Sequence, residues 1–112
     1  MTAPIDIKHL DQYVFGDRAL LDEILTIFIE QAAMWIERME PSLADEDWRH
    51  AAHTLKGASR GVGAWALGDL AERAEKMVGR EQSALRAALR DDLKAAAAAA
   101  IDHARELRDR AA

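Results

Sequence analysis

The stretch LLDEILTIFIEQAAMWIERMEP, residues 20–41, carries the plainest structural signal in the chain. Leu21, Ile24, Leu25, Phe28, Ala32, Trp35, Ile36 and Met39 recur at steps of three and four. That spacing puts them on one face of a helix and leaves Glu23, Glu30 and Glu37 on the other. Pro41 stops the helix, because proline removes an amide donor and clashes with the preceding turn. Gly16 and Asp17 mark its start, with Asp17 as the cap.

Outward from this helix the same period recurs. Towards the N-terminus, Pro4 and Asp6 precede a short helix expected over Ile7–Val14. Towards the C-terminus, SLADED is a turn, with Asp45 or Asp47 as the expected cap of a third helix from about Asp47 to Val62. A fourth helix follows Gly63, with Leu67, Leu70, Ala71, Ala74, Met77 and Val78 as its stripe and Gly79 as its C-terminal cap. A last helix is expected from about Gln82 to Arg108, with Leu85, Leu89, Leu93, Ala96, Ala100, Ala104 and Leu107 inward. Residues 95–100 are all alanine, the best helix former and small enough for a neighbouring helix to approach. No alternating β-branched run interrupts this. The expected fold is all-α: an antiparallel up-down four-helix bundle with a short extra N-terminal helix, in one domain spanning 1–112.

Composition narrows the function classes. The chain of 112 residues has a net charge of −5 and no cysteine. There is no thiolate metal site and no disulfide framework. An acidic chain argues against a general nucleic-acid binder. No apolar run is long enough to cross a membrane, and MTAPIDIKHL lacks the regions of a signal peptide. The expected setting is the cytoplasm, and the expected state a monomer with no leftover apolar face.

The third helix carries the chemistry. With Trp48 at zero and about 100° per residue, Trp48, Ala52, Leu55, Ser59 and Val62 fall within about 40° of one line, the core stripe. His53 lies near about 140°, flanked by Lys56 at about 80°, Arg49 at about 100°, Arg60 at about 120° and Gly57 at about 180°. The histidine therefore faces solvent among three cations, with a glycine one turn on where a side chain would shade the ring. Between Arg49 and Gly63 there is no acidic residue. His50, near about 200° on the same wheel, is at most a secondary contact, since its next-turn neighbour is Thr54. His9 and His103 read as polar surface residues. EDWRH, residues 46–50, lacks the Glu-x-x-His spacing of a bundle metal site. No glycine-rich nucleotide loop or kinase signature is present.

AHTLKGASRGVGAWALGDLAERAE, residues 52–75, resembles the signature of the histidine-containing phosphotransfer domain. The register is His-x-x-Lys-Gly, then Gly-Ala at Gly63 and Ala64, then a leucine-rich helix. The resemblance implies that His53 carries a phosphoryl group through Nε2. It implies that Lys56 steadies that group and that Gly57 gives partners access. Ser59, Gly63 and Ala64 match packing positions. Glu75 falls where some members contact the histidine from the side, and a carboxylate there would accept the ring's other N–H. Arg60 and Gly61 depart from the pattern, and Arg60 is a candidate phosphate contact or partner selector. The implied partners are response-regulator receiver domains and a histidine or hybrid kinase. The chain itself needs no cofactor, Mg2+ being expected in the receiver. Such a protein is a stoichiometric carrier and not an enzyme. One alternative is a docking module of the same fold that is never phosphorylated. Another is the phosphotransfer part of a histidine kinase, which would want an ATP-binding domain to follow.

Overall fold

The computed structural model describes residues 3–79 and 82–110; the ends of the expected 1–112 domain, and residues 80–81, lie outside the described residues. Five helices follow in order: α1 (Ile7–Val14), α2 (Arg18–Arg38), α3 (Asp45–Gly61), α4 (Trp65–Glu75) and α5 (Ser83–Arg110). No strand occurs among the described residues. α2 packs on α3, α3 on α4, α4 on α5 and α5 back on α2, with α1 against α2.

Local chemistry sets the boundaries. The Asp6 side chain accepts the His9 N–H at 3.2 Å and starts α1. Phe15 and Gly16 turn the chain in left-handed conformation, at φ 47 and 77°. Asp17 then caps α2 by accepting the Leu20 N–H at 3.0 Å. α3 begins differently from the expectation. Its N-cap is Ala44, which has no side chain to offer. Asp45 is already helical, and its carboxylate instead holds the Gly79 N–H and the Arg86 guanidinium. α4 is also shorter than expected. It ends at Glu75, with Lys76 as its C-cap, so Met77 and Val78 lie beyond the helix and Gly79 belongs to the following turn.

The core is one cluster. Trp48, Ala52, Leu55, Ser59 and Val62 of the expected α3 stripe are all buried. Phe28 and Leu89 are buried with them, and Leu70 packs partly buried at the margin. Two expected core residues are exposed, Val78 and Leu85. Beside Leu85 it is Arg86 that is buried, at 3% exposure. Its Nε donates to the Met77 carbonyl at 2.7 Å. Its Nη1 donates to the carbonyls of Pro41 and Leu43, and its Nη2 meets Asp45 at 2.7 Å. The guanidinium stacks 4.8 Å from the Trp48 ring centroid. A guanidinium is one of few cationic groups that can be buried this way, because its donors form a planar fork that carbonyls can saturate.

The N-terminal segment is latched across the molecule. Ile5 is fully buried, and its N–H donates to His103 Nδ1 on α5 at 3.0 Å. The Asp6 N–H donates to the Gly63 carbonyl at 3.0 Å. A Cβ on Gly63 would come within 2.8 Å of the Asp6 side chain and 3.0 Å of its carbonyl, and Gly63 has φ +77°. Glycine is required there by both conformation and space. His103 is therefore no free surface residue, because it holds the Ile5 amide. His9 is also half-buried, edge-on to Tyr13 and Trp65.

The expectation of no leftover apolar face does not hold. Tyr13, Phe15, Ile27 and Trp65 are exposed. Leu10, Tyr13, Ile24, Gly61 and Trp65 line one open surface cavity. Ile24, Ile27, Ala58 and Gly61 line a second. Together they form an apolar strip along α1, α2 and the open flank of α3. No helix among the described residues is long and apolar enough to cross a membrane.

Candidate functional site

His53 stands in the middle of α3 with its side chain 67% exposed. The helix is set by its stripe. Trp48 donates its indole N–H to the Ala74 carbonyl of α4 at 2.7 Å, and Ala52 and Leu55 are fully buried. With the stripe fixed inward, the imidazole is carried outward.

α4 runs back along α3, so its polar residues meet those of α3 in reverse order. Arg60 meets Glu72 and, further on, Lys56 and His53 meet Glu75. Glu75 is the centre of the cluster. One carboxylate oxygen, Oε2, lies 2.5 Å from His53 Nδ1, and the other, Oε1, accepts from Lys56 Nζ at 2.8 Å. The Lys56 side chain is 18% exposed and that of Glu75 19%. The Lys56 hydrogen bond, with a smaller contribution from the His53 contact, holds the Glu75 carboxyl below its ordinary value despite partial burial. A carboxylate accepts only, so the neighbouring imidazole nitrogen must carry the proton. Nδ1 is then the N–H, and Nε2, which makes no hydrogen bond to the described residues, keeps its lone pair for chemistry.

The remaining sequence-predicted residues divide. Gly57 is exposed, and a Cβ built there meets nothing within 4 Å. Gly61 is open in the same way. Arg49 and His50 line an open cavity of about 430 Å³ together with His53, Glu46 and Glu75. His50 also lies edge-on to Trp35 of α2, at 5.5 Å between centroids. Arg60 is not brought to His53. Its Nη2 is 3.1 Å from Glu72 and 3.7 Å from Asp69 of α4. Its stem crosses Gly68, where a Cβ would come within 3.0 Å of Arg60 Cγ. Ser59 is fully buried and its hydroxyl has no partner. It serves the packing of α3 on α4 by its size, since a Cβ on Gly68 would lie 3.7 Å from Ser59 Cβ. Gly68 is the residue that sequence reasoning missed. A glycine in the middle of a helix expected to be leucine-rich is the signal that would have found it. No cluster of three or more His, Asp or Glu side chains suited to a metal ion occurs among the described residues.

The site is thus an exposed imidazole, proton-fixed by a carboxylate, on a helix cleared of side chains one and two turns on. No curated protein and no solved structure gives a significant match to the chain. A family model does match, that of the Hpt domain, over residues 23–108. That span contains α3, α4 and most of α2 and α5. The chain belongs to the Hpt domain family, the phosphotransfer modules of two-component phosphorelays.

Proposed function

We propose that this protein is a phosphorelay intermediate in which His53 takes a phosphoryl group from a receiver-domain aspartate and passes it to the aspartate of another. The observation that carries the reading is the Glu75 contact to His53 Nδ1. It leaves the lone pair on Nε2. That nitrogen attacks the phosphorus of the aspartyl phosphate, the P–O bond to the carboxylate breaks, and an N–P bond forms. The Nδ1 proton stays where it was, and the positive charge gained by the ring is met by Glu75. The return step reverses each change. Phosphoryl transfer depends on positioning and charge compensation more than on covalent work by the protein. The receiver brings the carboxylate and the Mg2+.

The protein is a carrier used once per transfer, with kinases and response regulators of two-component systems as its partners and the cytoplasm as its setting. The ring of packed helices α2 to α5, joined by short turns, supports an antiparallel four-helix bundle with α1 as the extra helix. The apolar strip that Ala58 and Gly61 line is the surface assigned to receiver docking. Its α3 members Ala58 and Gly61 follow His53 by one to two turns on the same helix, and partners of Hpt domains must bring their own site to His53.

The test is phosphorylation by phosphorylated receiver domains, following label onto the chain. Wild type is expected to take up acid-labile phosphate. His53→Gln, which keeps size and hydrogen bonding, is expected to fold, bind a receiver and take up none, while His50→Gln stays near the wild-type rate. Label retained by His53→Gln would mean a misassigned nucleophile. Receiver binding by the wild type without any transfer would favour the docking module.

A further inference from the structure

Three cations surround His53 on α3, and the structure separates them. Lys56 is half-buried with its ammonium on Glu75. Arg60 crosses α4 over Gly68 and is held by Glu72 and Asp69. Arg49 makes no hydrogen bond and no ion pair among the described residues, and is exposed. The reason lies in the lengths of the helices. α4 ends at Glu75, level with His53, and the Glu75 carboxylate is held by His53 and Lys56, so no described residue of α4 forms an ion pair with the turn of α3 that precedes it. Arg49 sits on that turn, four residues before His53 and on the same face of the helix. It lines the same open cavity of about 430 Å³. The acidic groups around it are Glu46 and Glu75, which share the cavity, and Asp45; Glu75 is taken by Lys56 and His53, and Asp45 by Gly79 and Arg86.

Resting on the phosphorelay reading, we infer that Arg49 is the side chain that grips the phosphoryl group on His53, while Lys56 acts at one remove by holding Glu75. A guanidinium offers paired donors matched to phosphate oxygens, where an ammonium is a point charge. Arg49 feels the charge of Asp45 but forms no ion pair with it, so it turns to the phosphoryl group without breaking one. Lys56 would have to share its charge with Glu75, and Arg60 would have to leave two carboxylates.

The experiment uses the full chain labelled with phosphoramidate, which needs only an exposed imidazole. The P–N bond of the donor breaks, ammonia leaves, and the Nε2–P bond forms. Phosphorus NMR then follows the second ionisation of the bound phosphoryl group, which lies near pH 6 in phosphorylated side chains generally. A cation in contact favours the dianion. Arg49→Ala is therefore expected to move that midpoint upward by about half a pH unit, the size of an exposed charge contact. Arg49→Lys is expected to restore part of the shift. Arg105→Ala, which removes an exposed charge on α5, is the control and is expected to match wild type. A wild-type midpoint in Arg49→Ala, with label on His53, overturns the inference and leaves the phosphorelay reading standing. A shift seen in Arg60→Ala and not in Arg49→Ala assigns the contact to Arg60 and overturns it too. Absence of label on wild-type His53 removes the phosphorelay reading and the inference together.

Discussion

Arg86 and His53 both stand between α3 and a neighbouring chain segment, and the molecule treats them in opposite ways. Arg86 is closed in. Three backbone carbonyls, one carboxylate and the Trp48 ring account for its fork and its face. His53 is half-committed. One nitrogen is fixed by Glu75, and the other is left to solvent with a glycine beyond it. The first arrangement spends four of the five guanidinium N–H donors on holding the α2–α3 turn, the α4–α5 turn and α5 in register. The second spends one nitrogen on orientation and leaves the other open, the one that reacts in the function proposed above. Rigidity at one end of α3 is what lets an exposed ring in its middle be presented in a constant direction.

Breaking the closed end is expected to have the largest effect. Arg86→Ala strands the carbonyls of Met77, Pro41 and Leu43 and opens space against Trp48. A loss of roughly 2–4 kcal/mol is expected in denaturant unfolding. At temperatures where the variant remains folded, His53 should still be phosphorylated, because none of its contacts runs through Arg86. Loss of phosphate uptake by fully folded Arg86→Ala would erase the distinction between the two regions.

Glu75→Gln sharpens the other side. The amide can still accept the Nδ1 proton, but it no longer answers the charge that the ring gains. Transfer is expected to fall roughly tenfold, on the scale of one charge-assisted hydrogen bond. Stability should report the same residue. The Glu75 carboxyl is held below its ordinary value of 4.5 by Lys56 first, and by His53. A depressed carboxyl stabilises the fold above its unfolded value, and the contribution is lost as pH falls through the folded value. Unfolding curves of wild type should therefore weaken below about pH 4.5, and Glu75→Gln should lack that part of the acid limb. Identical acid limbs would place the Lys56–Glu75 pair outside the energetics of the fold.

The smallest effect tests clearance. Gly57→Ala puts a methyl group into open space on a helix, and should stabilise the fold by up to about 1 kcal/mol. Transfer should nonetheless slow, and slow further with a bulkier residue. Unchanged transfer rates with bulky residues at this position would show that Gly57 is not kept open for a partner.

The sequence made the outward direction of His53 legible because the α3 stripe is strong. Trp48, Leu55, Ser59 and Val62 fix the azimuth of everything else on that helix. The direction of Arg60 was not legible. It is set by Gly68 and by two carboxylates on α4, which no periodicity of α3 can show. Arg86 was hidden for a similar reason. In SALRAALRDD the apolar pattern favours Leu85 as the inward residue, and only carbonyls far away in the chain make burial of the neighbouring arginine favourable. The α3 cap misled because Asp45 has a stronger use than capping, the Gly79 N–H and Arg86 together. His103 looked like surface because its partner, the Ile5 N–H, lies 98 residues earlier.

That last contact bears on synthesis. Ile5 leaves the ribosome 98 residues before His103, which completes its seat near the far end of α5. Ile5 must wait for this partner while the 98 residues up to His103 are made. The docking of the N-terminal segment on Gly63 and His103 closes a very long loop and belongs to the slow, non-local part of folding. A nascent chain stalled before α5 would carry His53 on helices already able to pair locally, with the Ile5 amide still lacking its imidazole acceptor.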